Sequence, residues 1–347
     1  MGHRAGVNPE TRNHESESGT LDWPTSAQAA SRFIMSALPG ASPVEIGAMD
    51  GDPRGKSDEP PVLAAPNLIE GTVFRSIRIA PEREARPVSE FTGFLDGAQE
   101  VRVVNHVSGI PVVWATVSAA VRVRHNRRLT AWRVHPPALA RRYYLPLRYL
   151  TDLRAEWKDD PRVVDTAGAD SAGIIPTRHP AALLERAIQK IQRDREALER
   201  KLAEAWCDAE SSPLYIDGSI TTSASASTSP LAVGVIKNHR TLYADGDAFG
   251  VVVSLRPGER SSAFRVAPRS RNPVASWYVR IRSAVGRDAL FGLVRVEAAE
   301  GEDLTMRADE ISRWIIAEGS PLALPDHRWD KLSYGVRDAE EFLRAIS

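Results

Sequence analysis

The sequence predicts an α/β domain built on a mixed sheet. Three observations predict it. Short segments rich in Val, Ile, Phe and Thr, punctuated by Gly or Pro, crowd residues 72–124. One amphipathic stretch, 181–206, then runs without Gly or Pro, and a second series of strand-like segments leads into terminal helices. Strands, a long helix, more strands and then helices is the order of a sheet with helices packed against it.

Taken in order, residues 1–22 are polar and lack apolar periodicity, and Thr25-Ser26 precede an amphipathic stretch, 27–38, that Pro39-Gly40 stops. Residues 1–40 thus read as an N-terminal extension with one short helix. Residues 41–66 hold five prolines, three glycines, five carboxylates and no aromatic residue, a mix that buries too little surface to offset chain entropy. They read as a flexible linker. Gly51 to Ser57 within it is one residue short of a phosphate-binding loop and follows no strand, so it gives no nucleotide site.

Strands are expected at 72–79, 90–95, 100–106, 111–119 and 121–124. Residues 122–154 then carry nine arginines against the single acid Asp152, interleaved with Trp132, Tyr143, Tyr144 and Tyr149, and open a basic insertion of about 122–178. Beyond the helix at 181–206, further strands are expected at 213–217, 231–237, 248–255, 262–266, 277–282 and 289–296, with a Ser/Thr/Ala-rich loop at 219–230. Helices at 308–317 and 338–346 close the main domain, 67–347. No period of 20–50 residues repeats, which argues against solenoids and propellers.

The chain has 347 residues, 45 basic against 45 acidic, and 42% hydrophobic residues, a globular composition. The longest run rich in apolar residues, 110–121, is well short of the roughly 20 a membrane helix needs, so no membrane span is expected. The single cysteine, Cys207, allows no intrachain disulfide and no cysteine-based zinc site, and a cytoplasmic location is expected. Zero net charge is a sum over unlike regions. Residues 1–60 hold nine acids and five bases, whereas 122–154 hold a net +8.

Two apolar segments end alike, Phe94-Leu-Asp-Gly and Leu214-Tyr-Ile-Asp-Gly, which makes Asp96 and Asp217 candidates for neighbouring sheet edges. An aspartate just past a buried strand suits metal binding, because the strand fixes its position and the glycine lets a loop approach. The alternative is a plain Asp-Gly turn, the reading given to Asp245-Gly246-Asp247. On the long helix, at 100° per residue, Glu199 lies roughly 70° from the centre of the apolar stripe, Glu185 about 110°, Glu196 about 130° and Glu204 about 150°. Glu199 is the best placed to approach the sheet, with Glu196 in reserve. Arg195 sits four residues before it, so a local helix ion pair is the competing role.

These residues form an ordered series: Phe94-Leu-Asp-Gly, Arg195-Glu-Ala-Leu-Glu199, Tyr215-Ile-Asp-Gly-Ser219, Gly234-Val-Ile-Lys237, Val294-Arg-Val-Glu297 and Pro321 to His327. The series resembles the NurA nucleases, over roughly residue 90 to the C-terminus. The resemblance implies an RNase H-like mixed sheet flanked by helices. It also implies a manganese-binding nuclease site at Asp96, Glu199, Asp217 and His327, work alongside a HerA-like hexameric ATPase, and a homodimer. Ser320-Pro321 stands where the family usually has Tyr-Pro, and Asp326 beside His327 is an alternative last ligand.

Three carboxylates and an imidazole can hold two divalent cations about 3.5–4 Å apart for hydrolysis of a phosphodiester. Hard oxygen ligands favour Mg²⁺ or Mn²⁺, and the histidine favours Mn²⁺. For DNA, the expected contacts are Lys237 at a strand end and Arg127, Arg128, Arg141 and Arg142 in the basic stretch, with the interleaved aromatics stacking on bases or lying in a core or interface. The expected function is a metal-dependent DNA nuclease in end processing or defence. A non-cutting DNA-binding adaptor of the same motor is the alternative.

Overall fold

The structure, a computed structural model, describes residues 60–79, 88–107, 109–126, 128–150, 160–169, 173, 175, 177–269, 271–319, 331 and 333–346. The chain divides into two compact units. The architecture that follows belongs to the unit of Met49–Ala284 and Asp288–Ser347; of the other, Met1–Ala48 with Val285–Arg287, only the last three residues are described. The helix expected at 27–38 and most of the linker lie outside the described residues.

Fifteen strands are described: β1 (Val62–Leu63), β2 (Asn67–Leu68), β3 (Ser76–Arg78), β4 (Gly93–Val107), β5 (Ile110–His125), β6 (Arg128–Ala131), β7 (Ala138–Leu145), β8 (Val163–Asp165), β9 (Leu214–Asp217), β10 (Ala232–Ile236), β11 (Thr241–Leu242), β12 (Glu259–Ser261), β13 (Phe264–Val266), β14 (Val274–Arg280) and β15 (Leu293–Ala298). The helices are α1 (Pro180–Ala209), α2 (Ala224–Thr228), α3 (Asp247–Ser254), α4 (Leu304–Glu318) and α5 (Tyr334–Ile346). Thirteen strands form one mixed sheet whose main path runs β2-β13-β14-β15-β10-β9-β4-β5-β7-β8. Strand β4 is antiparallel to β5 on one side and parallel to β9 on the other, and β9 is parallel to β10. The fold is therefore α/β with a large mixed sheet flanked by helices.

The sheet is covered on both faces. Leu95, Val121, Leu214 and Ile216 pack with Leu202, Ala203 and Trp206 of α1, whereas Phe94, Tyr215, Val233 and Val235 pack with Ala308, Ile311 and Trp314 of α4 and Val336 of α5. Burial from both sides explains why β10 and the first three residues of β9 read as a continuous apolar run rather than an alternating one.

Several elements differ from expectation. The segments at 90–95 and 100–106 are one strand, β4, and those at 111–119 and 121–124 are one strand, β5, because the two pair from Gly93↔Val123 to Val107↔Ile110, with one register shift between Val103 and Asn105. Asp96-Gly97 is therefore mid-strand, not a turn. Residues 248–255 are not a strand: Gly246, at φ 60°, turns the chain, Asp247 opens α3, and Ala248 and Val252 are buried one turn apart. The expected hairpin turn at Asp245-Gly246-Asp247 is instead this helix start. Val62–Leu63, in the stretch read as linker, pairs with β11.

Candidate functional site

Parallel pairing of β4 with β9 runs Gly93↔Leu214, Phe94↔Tyr215 and Leu95↔Ile216, and the next residue on each strand is an aspartate. Asp96 and Asp217 therefore leave the paired region side by side. Since Phe94 and Tyr215 face α4 and α5, alternation along each strand sends the two aspartates to that same face. Strand β9 ends at Asp217, where Gly218, at φ 143°, turns the chain away, while β4 continues to Val107. The juxtaposition expected from the two Phe/Ile-Asp-Gly endings holds, although only Asp217 stands at a strand end.

Asp96 is 9% exposed, and its Oδ1 accepts the Gly97 amide at 2.8 Å. Burial, with the charges of Asp217 and Glu199, pushes its carboxyl well above the usual range, against the pull of Lys237. Lys237, at the end of β10, donates Nζ–H to Asp217 Oδ2 at 2.9 Å. The residue expected to meet phosphate thus already balances a carboxylate. Lys331 Nζ donates to the carbonyl of Lys237 at 3.1 Å and fixes that strand end.

Glu199 reaches the site from α1, over the other face of β4. A Cβ placed on Gly97 would fall far inside van der Waals contact with Glu199 Oε1, so the carboxylate rests on the bare backbone of the residue next to Asp96. Its Oε1 also accepts from Arg195 Nη1 at 2.5 Å, so the helix ion pair and the approach to the sheet coexist. Burial pushes this carboxyl up to about 7, with Asp217 adding to the rise and Arg195 opposing it. Glu196 accepts instead from Gln192 Nε2 at 3.0 Å and lies along the exposed side of α1.

His327 and Asp326 lie outside the described residues, as does Arg127. Among the described residues, no three His, Cys, Asp or Glu side chains converge to hold a metal ion. The structure therefore brings Asp96 and Asp217 together on one face and sets Glu199 across the strand. As a donor set, two close carboxylates, one buried and one half-buried, whose mutual repulsion is only partly offset suit a hard divalent cation. Asp96 and Asp217 are the residues that would hold it.

Three of the nine arginines of the basic stretch are spent on structure. Arg122 Nε donates to Asp338 Oδ1 at 2.5 Å, Arg124 binds both Glu318 oxygens at 2.7 Å, and Arg142 Nη1 donates to Asp194 Oδ2 at 2.8 Å. Arg142, expected at DNA, is thus a tie between β7 and α1. Trp132 is buried against Trp206 with its Nε1 bonded to Glu210, Tyr144 is buried with its hydroxyl on Asp194, and Tyr143 packs edge-on to Trp114. For Trp132 and Tyr144 burial supports the core reading and leaves no face for base stacking, whereas Tyr143 is half-buried. Arg141 has a partner within the chain, and Arg128 is exposed on β6.

Sequence reasoning left Glu297 without a role. This carboxylate, on β15, is fully buried; its Oε2 accepts from Ser219 Oγ at 2.8 Å and from the Ile220 amide at 3.1 Å, while Arg295 Nη1 lies 3.1 Å from Oε1. It clamps the turn that follows Asp217. The available signal was an acid inside the otherwise apolar strand Leu-Val-Arg-Val-Glu-Ala. Neither a known protein-family model nor a curated protein sequence matches this chain.

Proposed function

We propose that the chain is a metal-dependent DNA nuclease of RNase H-like fold, similar to the NurA nucleases, that takes Mn²⁺ or Mg²⁺ at Asp96 and Asp217. The observation that carries this reading is the pair of aspartates on adjacent parallel strands, Asp96 buried and Asp217 half-buried, unlike in backbone context and alike in face. A central β4 flanked by antiparallel β5 and β7 on one side and parallel β9 and β10 on the other, with α1 as the crossover, supports it.

A divalent cation supplies charge at the phosphate and a water that is deprotonated near neutral pH. The chain's own residues do the rest. Asp96 and Asp217 orient such a cation, Lys237 balances charge at the strand end, and Glu199, with a carboxyl near 7, is placed to hold or release a proton beside the same strand. Partners in this reading are a second copy of the chain and a HerA-like hexameric ATPase, which would supply the ATP hydrolysis for which this sequence has no phosphate loop.

Purified chain is incubated with end-labelled linear DNA and Mn²⁺. Cutting by wild type and none by Asp96→Ala or Asp217→Ala supports the nuclease. Equal inertness of all three, with the motor present, removes catalysis. A second reading, a non-cutting DNA-binding adaptor, is favoured by one observation: Asp217 and Glu199 are each already paired with an internal cation.

A further inference from the structure

Beside Asp217 and Glu199 lies a cleft of about 130 Å³, between α1 and the turn running from Asp217 into α2. Asp217 and Glu199 are among its lining residues, with Glu196, Arg200, Arg271 and Thr222. Arg122, Arg124 and Arg142 are engaged inside the protein, whereas Arg200 and Arg271 of this cleft are open to a ligand.

Their availability follows from their surroundings. Arg195, also in the cleft, is held by Glu199 at 2.5 Å and is not counted. Arg200 is exposed, and its nearest acid, Glu204, is 4.0 Å away; that acid accepts from Ser223 Oγ at 3.0 Å. Arg271 is exposed and has no acidic partner among the described residues. Its backbone is nonetheless fixed: the Arg271 amide donates to Pro268 O at 3.2 Å, and Asn272 donates both its amide, at 2.9 Å, and its Nδ2, at 3.2 Å, to Thr221 O. An unpaired guanidinium on an anchored loop, facing a second on a helix across a hydroxyl-lined cleft, is a site for phosphodiester oxygens.

We propose that this cleft is the phosphate track of the protein: Arg200 and Arg271 bind phosphates of one nucleic-acid strand as it passes Asp217 at the end of β9. The proposal rests on the nuclease reading for its substrate and replaces the basic stretch as the path. Contacts to phosphate carry no base information, so binding is independent of sequence.

The test is fluorescence anisotropy of a labelled single-stranded oligonucleotide with the full chain, in EDTA to prevent cutting, over a series of salt concentrations. Arg200→Ala with Arg271→Ala is expected to weaken binding about tenfold or more at low salt. It is also expected to flatten the plot of log affinity against log salt by about 0.7 per lost phosphate contact, or about 1.4 in all. Arg344→Ala, on the exposed side of α5 and paired with Glu340, is expected to leave the slope unchanged. Competition by inorganic phosphate or a mononucleotide as effective as by the oligonucleotide, per phosphate, would identify a single-anion pocket and overturn the track. A wild type that binds and cuts DNA, with the double variant unchanged in slope, overturns the track and leaves the nuclease standing. A wild type that binds no DNA overturns both.

Discussion

The Glu199 carboxylate occupies the space that a side chain at Gly97 would need. A carboxylate from α1 and the backbone of β4 meet there because residue 97 has no Cβ, one residue from Asp96. Gly97→Ala is therefore expected to expel Glu199, costing about 1–3 kcal/mol as an overpacked site does. Adding Glu199→Ala to it should recover most of that loss. Gly335→Ala, whose Cβ would strike the Phe94 ring, should destabilise equally with or without Glu199. Denaturant unfolding of the four variants, as a double-mutant cycle, checks this: additivity between Gly97→Ala and Glu199→Ala would break the claimed contact.

This contact also shows where the sequence was legible. Helix α1 was plain from 26 residues without Gly or Pro, and its face geometry singled out Glu199. Asp96 and Asp217 were found through their shared Asp-Gly context, yet the glycine after Asp96 serves a side chain from across the sheet rather than a turn. No local pattern separates those two uses. Strand boundaries blurred for a similar reason: Asp96-Gly97 resembles a break, but pairing with Ala120 and Ala119 carries β4 straight through it. The basic stretch misled because charge counts do not reveal that Asp338, Glu318 and Asp194, distant in sequence, neutralise three of its arginines.

Divalent cation is expected to stabilise the chain, and pH sets the baseline. The carboxyls of Asp96 and Glu199 are both raised, Glu199 to about 7, so the folded form binds protons more tightly than the unfolded one. Their contribution to stability is largest below the unfolded carboxylate range and declines as pH rises from about 4.5 through 7. Cation bound to the folded form alone opposes that decline, by about 2.7 kcal/mol at a hundred times its dissociation constant. Asp96→Asn keeps the acceptor for the Gly97 amide but removes the repulsion. It should therefore raise metal-free stability at pH 8 and abolish the shift with Mn²⁺. Thermal melts with and without Mn²⁺ read both, and an undiminished Mn²⁺ shift in Asp96→Asn would place the cation elsewhere.

Glu297 should act on the site through the turn after Asp217. Glu297→Ala leaves Arg295 buried beside an empty carboxylate position and frees Ser219, a change expected to cost about 3–5 kcal/mol. Ser219→Ala removes one of the two hydrogen bonds Glu297 Oε2 accepts and should cost about 1 kcal/mol. If the clamp positions Asp217, Ser219→Ala should lower kcat with DNA more than it raises KM, at unchanged fold by circular dichroism. Loss of stability with kcat intact would make the clamp a support of the fold alone.

His239 supplies a pH response of opposite sign. It is buried, Nε2 is bonded to Leu293 O at 2.9 Å, Nδ1 has no partner, and its ring stands 5.8 Å from that of Tyr278. Burial lowers its pKa to about 4, and the charges of Lys331, Arg295 and Arg280 press the same way, against the pull of the Leu293 carbonyl. The unfolded chain, with an ordinary imidazole, binds more protons than the folded one between about pH 6.5 and 4. Stability present above 6.5 is thus lost as pH falls through that window, by up to about 3 kcal/mol for this group. His239→Phe keeps a ring against Tyr278, leaves the Leu293 carbonyl without its donor, and should lower stability by about 1 kcal/mol at pH 8 while flattening the acid limb. Proton NMR gives the direct check: the His239 ring resonances should stay unshifted down to about pH 5, and a midpoint near 6.5 would show that the ring is open to water.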